Sequence, residues 1–308
     1  MNFIVTTTIY KPSVALKKFA NFKNWKLIVV GDLKTPHNLY NKKKNIIYIH
    51  PKDQIKIDKK LSDLIGWNCI QRRNFGYILA YKLGAKHIAT VDDDNIPYAY
   101  WGNDIYLNKN LNVNYFKTAD IAFDPLSIFK TKKKIWHRGY PIELILSKQK
   151  IVKVKKSINA DIQANLWDDN PDIDAVNRIG LKNQDFSFKF NKVKPYSSNR
   201  FSPFNSQNTI LTRDIIKDYF LFPHIGRMDD IWASYYVQSL GAKVVFANST
   251  VKQIRNPHNL LVDFQKEIIG YAKNLELLNS LKISPKNIKK FLPKKSYEAF
   301  QQYKKNFL

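Results

Sequence analysis

His87-Ile88-Ala89-Thr90-Val91-Asp92-Asp93-Asp94-Asn95 reads as a buried strand that ends in three adjacent carboxylates. Just before it, Ile70, Phe75, Ile78, Leu79 and Leu83 fall at near-helical spacing, and Gly84 supplies a stop. The same alternation continues on both sides. Upstream, the β-branched run 2–10 ends at Lys11-Pro12, Trp25 to Gly31 is nearly continuous apolar sequence, and Asn45 to His50 is a third strand candidate. Downstream, a strand-like run returns at Phe204 to Leu211. Asp230 to Leu240 looks helical up to Gly241, and Ala242 to Ala247 is another buried strand. Strands alternating with helices predict an α/β chain with a mostly parallel sheet flanked by helices. Ligands of such sheets gather at the carboxyl ends of the strands, so the acidic triplet stands where a site belongs.

Residues 100–200 carry Pro125, Pro141, Pro171 and Pro195, several lysine runs and weak periodicity, and read as loops and short elements laid over the site. From Asn259 onward the pattern is helical and lysine-rich. With no internal repeat and no Gly/Ser linker, the expectation is one domain over 1–260 with a helical extension, 261–308, packed on it.

The chain has 308 residues, 44% hydrophobic and 14% aromatic, enough for a sizeable core, which excludes disordered and low-complexity classes. Its single cysteine, Cys69, leaves no disulfide framework and no CxxC zinc site, and reads as a small packed residue. There is no signal-peptide pattern and no apolar run near the ~18 residues that would span a membrane. The expectation is therefore a soluble, cytoplasmic protein.

Lys and Arg number 51 against 25 Asp and Glu, a net charge of +26. Such a balance suits polyanionic partners. Only eight of the 51 are arginine, though, and base readout and bidentate phosphate grip favour arginine. The excess reads as a solvated lysine coat. It leaves peripheral association with acidic surfaces open and argues against sequence-specific nucleic-acid binding.

Neither GxGxxG nor GxxxxGK[ST] occurs, which disfavours dinucleotide dehydrogenases and P-loop NTPases, and no GxSxG elbow marks a serine hydrolase. In the triplet, three neighbouring carboxylates repel unless a cation or water screens them. On extended backbone Asp92 and Asp94 point to one side, where Mn²⁺ or Mg²⁺ accepts oxygens from both; the bland alternative is a solvated turn at a strand end. Asp229 and Asp230 open the next helix, where one carboxylate suits capping and the other suits a general base or a hydroxyl ligand. Arg138, between His137 and Gly139 and ahead of Pro141, reads as a phosphate clamp or a surface arginine, and Arg73 poses the same choice. His258, in a turn, is either a third metal ligand or an ordinary packed or surface histidine.

Four segments together resemble known families of nucleotide-sugar enzymes with the GT-A fold, which is Rossmann-like. Arg73-Asn74-Phe75-Gly76-Tyr77, Thr90 to Asp94, Arg138-Gly139-Tyr140-Pro141 and Gly226 to Ala233 come in the order found in the reversibly glycosylated polypeptides, which include UDP-arabinopyranose mutases. Trp25 to Asp32, Leu166 to Ala175 and Phe204 to Thr209 look more like the STELLO family, and Arg255 to Leu260 is similar to relatives of it. The resemblance covers about residues 3–270.

It implies a nucleotide-sugar site. Asp92 and Asp94 match the metal-and-diphosphate motif, with Asp93 between them. Arg138 matches the arginine that becomes glycosylated in the reversibly glycosylated polypeptides, and Asp229 and Asp230 match the acidic pair on the acceptor side. Thr6, Thr7, Thr8 and Asp32 would lie near the base, with Arg73, Asn74 and Asn208 as further donor-binding positions. Two departures stand out: the plant mutases carry a cysteine-rich run where this chain has only Cys69, and STELLO proteins have a membrane anchor not seen here. The expected function is a metal-dependent glycosyltransferase taking a nucleotide sugar, UDP-linked by expectation, and a glycan or small-molecule acceptor. The alternatives are a UDP-sugar mutase using Arg138 and a catalytically silent scaffold of the same fold.

Overall fold

The first strand, β1 (Asn2–Thr8), places Ile4 in one hydrophobic core and Phe3 and Val5 in another, as a strand buried on both faces must. The computed structural model describes residues 1–40, 45–131, 133–148, 150–181, 189–190, 193–254 and 259–308. After β1 come α1 (Val14–Phe19), β2 (Trp25–Gly31), β3 (Ile46–Ile49), α2 (Pro51–Ile57), α3 (Lys59–Ile65), α4 (Arg73–Lys82), β4 (His87–Val91) and β5 (Asn95–Pro97). The middle of the chain supplies β6 (Asn110–Lys117), β7 (Val152–Asn159), β8 (Ile162–Asp169), α5 (Ala175–Gly180) and β9 (Tyr196–Ser198). β10 (Asn208–Thr212), α6 (Asp229–Ser239), β11 (Val244–Gln253), α7 (Leu260–Ile283) and α8 (Lys294–Lys304) complete it.

The described strands join one sheet in the order β3-β2-β1-β4-β10-β8-β11-β9-β6-β7, with β5 against β11. β1 pairs in parallel with β2 and β4, β2 with β3, and β8 with β11. β10 runs antiparallel to both β4 and β8, so β4, β8 and β11 point the same way. Their carboxyl ends, Val91, Asp169 and Gln253, therefore lie toward one edge with the end of β1. This is a mixed α/β fold with a large central sheet flanked by helices, compatible with a GT-A-like fold and ending in a helical region.

Helix α4 lies close on the sheet because Gly76 allows it: a Cβ there would sit 2.3 Å from Cγ1 of Val5. On the other face Trp101 packs against Phe19, Phe22 and Trp25 with ring centroids 5.0–5.1 Å apart. The C-terminal helices belong to the same core as β1 and α4, contributing Leu277, Leu281, Phe300 and Tyr303. Among the described residues no helix is long and apolar enough to cross a membrane.

The region 100–200 is more regular than its sequence suggests. β6 and β7 form an eight-residue antiparallel pair, Asn110↔Asn159 to Lys117↔Val152, and β8 is a central, almost fully buried strand. The polar residues inside β8 hide its burial in the sequence. Gln163 and Asn165 are buried but mutually bonded (2.9 Å), and Gln163 also donates to the carbonyl of Asp104 at 2.9 Å.

Candidate active site

Beyond Val91 the chain leaves β4 and turns. Asp92 and Asp94 line a cleft of about 430 Å³. Asp93 faces the other way: it accepts the Thr8 hydroxyl at 2.5 Å, and its carbonyl accepts that of Ser13 at 2.6 Å. Burial pushes the Asp93 carboxyl above its ordinary pKa. Arg73, 1% exposed, donates to Asp92 at 2.7 Å and to Thr90 and the Ser206 carbonyl. Burial opposes its charge, but Asp92 more than compensates, so the guanidinium stays protonated. Arg73 is thus neither an exposed helix arginine nor part of the cleft lining; it orients Asp92 from behind.

The same cleft takes Asp229 and Asp230 from the start of α6, Asp172 from the segment after β8, and Arg138 and Arg227. Arg138 is buried between two carboxylates. Its Nε donates to both oxygens of Asp172 at 3.0 Å and its Nη2 to both of Asp230 at 3.0 and 3.1 Å, while Nη1 meets the Arg227 carbonyl. Burial works against the charge, yet Asp172 and then Asp230 raise its pKa well above the ordinary value. Asp230 also accepts the backbone N–H of Ser206 at 2.9 Å, and Asn205 donates to Asp172 at 2.9 Å. The sharp turn after Arg138 needs glycine: Gly139 has φ +87°, and a Cβ there would meet Ile231 at 2.3 Å.

Asp229 differs from its neighbour. Its carboxylate accepts the Gln71 side-chain amide at 2.8 Å. Burial, and then the negative charge of Asp230, raise its pKa to about 7. The N-cap of α6 is Met228, so the pair lies inside the first turn, where the helix dipole favours negative charge.

Arg227 ties the cleft to the C-terminal helix through Glu267 (2.8 Å) and Asp263 (3.2 Å) of α7, with Asp172 at 3.9 Å. Glu267 also accepts the backbone N–H of Ala175 at 2.7 Å. From the same helix, Asn274 accepts from Trp232 and donates to the Gly139 carbonyl.

Several residues singled out in the sequence lie away from the cleft wall. Thr6 is buried with its hydroxyl on the Thr7 carbonyl, and Thr8 serves Asp93. Asp32, also buried, accepts the N–H groups of Leu33 and Cys69, and so fixes the loop that carries Cys69 and Gln71 into the cleft. Asn74 exchanges bonds with the backbone of Leu221, and Asn208 joins Trp101, Leu166 and Thr250. These amides brace the fold. His258 lies outside the described residues. Conversely, Asp172, Arg227, Gln71 and Gln253 line the cleft without having been assigned a role. Asp172 had a visible signal: four aspartates fall within 168–174 of a lysine-rich chain.

Five carboxylates and three cationic side chains (Arg138, Arg227, Lys266) line this cleft in a protein of net charge +26. Among the described residues no group of three or more His, Cys, Asp or Glu forms a metal cluster. The oxygen pair Asp92/Asp94 nonetheless fits a hard divalent cation that takes one or two carboxylates and completes its shell with phosphate oxygens and water.

No protein-family model matches the chain. It is similar to STELLO2 of Arabidopsis thaliana, a probable glycosyltransferase, with 22% identity over 256 residues. STELLO1 of the same plant, also a probable glycosyltransferase, is 22% identical over 255 residues. Each match covers 77% of this chain and 33% of the relative, so the chain spans about a third of the length of the curated relatives it matches. The similarity to the STELLO family suggested by the motifs is found, at a distance.

Proposed function

From this cleft and its distant STELLO-like relatives, we propose that the protein is a divalent-metal-dependent glycosyltransferase that uses a nucleotide-sugar donor, with a UDP-sugar as the first candidate. The observation that carries this reading is the placement of Asp92 and Asp94 on one wall of the cleft that also holds Asp229 and the Arg138–Asp230 pair. Asp92, held by Arg73, and Asp94 would hold the ion. When bound, Mn²⁺ or Mg²⁺ supplies positive charge to the diphosphate as it leaves. An anionic donor would otherwise meet a predominantly acidic wall.

Asp229 is the general base in this reading. A carboxyl with a pKa near 7 combines useful basicity with an ionised form at neutral pH. Deprotonating the acceptor hydroxyl requires the ionised carboxylate, whose fraction grows as pH rises through about 7. The kcat/KM profile is therefore expected to climb between pH 6 and 8 and level off above, and Asp229→Asn should lose both the rate and the climb. A profile flat across that window would place the base elsewhere.

Arg138 favours transfer over the mutase alternative. Its guanidinium is protonated, buried and bonded on Nε and both Nη nitrogens, a poor state for an attacking nucleophile. Its role here is to hold Asp172 and Asp230 in place.

The test is calorimetric titration with UDP and GDP, with and without Mn²⁺. Manganese-dependent UDP binding is the expected result. No binding of either nucleotide under any condition would leave the scaffold alternative standing.

A further inference from the structure

Gln253, the last residue of β11, lines the cleft with Asp92 and Asp94, is only 4% exposed, and has an Oε1 with no hydrogen-bond donor. Buried amide oxygens are ordinarily satisfied. Its partner across the β5–β11 pairing, Asn95, shares the deficit: Asn95 Oδ1 is buried without a donor, while Nδ2 donates to the Gln207 carbonyl at 3.0 Å. Residues directly opposite in a β pair project to the same face, so two acceptor oxygens without donors share the ground beside the triplet. The backbone fixes this arrangement, since Ile254, the next residue, donates its N–H to the Asp94 carbonyl at 3.2 Å.

An acceptor that lacks a donor is satisfied by a cation or a water. Asp92 and Asp94 supply only two protein oxygens, and no further His, Cys, Asp or Glu joins them among the described residues. Hard divalent ions take amide carbonyl oxygens as well as carboxylates.

We propose that Gln253 is a third protein ligand, through Oε1, of the divalent cation held by Asp92 and Asp94; this rests on the metal-dependent reading above. A neutral third donor adds coordination without adding negative charge. Repulsion toward an incoming diphosphate is then no greater than two carboxylates impose, and the ion keeps positions for phosphate oxygens. The competing explanation is a buried water that bridges Gln253 and Asn95.

The experiment measures Mn²⁺ binding to the full chain without nucleotide, following free Mn²⁺ by electron paramagnetic resonance, for wild type, Gln253→Leu, Gln253→Glu and Asp94→Asn. Gln253→Leu is expected to weaken binding by on the order of 10–100-fold, at least what loss of an outer partner costs a metal site. Gln253→Glu should tighten it, and Asp94→Asn should remove it. Should Gln253→Leu fail to fold, the Glu variant still decides: a carboxylate that reaches the ion must bind it more tightly than the amide does, so affinity no tighter than wild type overturns the ligand. Wild-type affinity in both Gln253 variants, with loss in Asp94→Asn, overturns this ligand and favours the bridging water while the metal-dependent reading stands. A wild-type protein that binds no Mn²⁺, with or without UDP, overturns both.

Discussion

Asp94→Asn is expected to lower turnover of a nucleotide sugar by on the order of 10²–10³-fold or more while the protein still folds. Asparagine keeps the size of aspartate and one carbonyl oxygen but removes the negative charge that attracts a divalent ion. The Asp94 side chain is partly exposed on the cleft wall, and its backbone carbonyl, which holds Ile254, is unaffected by the substitution. Folding should therefore change little, and the loss should appear in kcat and in Mn²⁺ dependence. Turnover and thermal melting measured together decide the matter. Wild-type turnover at ordinary Mn²⁺ concentrations in this variant would end the metal assignment.

The second large effect is on stability. Arg138→Met replaces a buried cation by an apolar chain of similar length and leaves Asp172 and Asp230, both nearly inaccessible, without their shared partner. Breaking a buried pair from one side costs about 3–5 kcal/mol, because the remaining charge is both desolvated and unmatched. With roughly 2–4 °C lost per kcal/mol in a protein of this size class, Tm should fall by roughly 10 °C. Arg138→Lys should recover only part of this, since one ammonium cannot reproduce the planar fork that serves two carboxylates. A melting temperature unchanged in the Met variant would mean that the cleft hydrates and relaxes around the lost charge.

Much of the frame can be read from local pattern. β1, β2, β4, α4, α6 and the start of α7 follow apolar spacing and stop signals, and β1 to β4 lie within two residues of the apolar runs that mark them. The middle of the chain resists the same reading for two physical reasons. β7 alternates valine and isoleucine with lysine at a sheet edge, so its charges resemble a loop. β8 is central but carries polar side chains that are satisfied only by residues distant in sequence.

The candidate site divides along the same line. Asp92, Asp94, Arg138, Asp229 and Asp230 stand out because their types cluster beside structural punctuation, and all five line one cleft. Whether an arginine clamps a ligand or braces a carboxylate depends on which oxygen lies opposite, and spacing does not contain that. Arg73 and Arg138 both turn out to hold carboxylates. Gln253 carries no sequence signal; only its unmatched oxygen marks it.

The grip of α7 on Arg227, Ala175, Trp232 and Gly139 has a temporal consequence. A protein emerges from the ribosome amino end first, and here the sheet and both acidic motifs precede the helix that buttresses the loops between them. Glu267 and Asn274 must clear the exit tunnel before those loops acquire their final partners. A nascent chain with both acidic motifs complete would therefore hold the cleft carboxylates in an unbraced state. The finished cleft should arrive late in synthesis, once α7 docks.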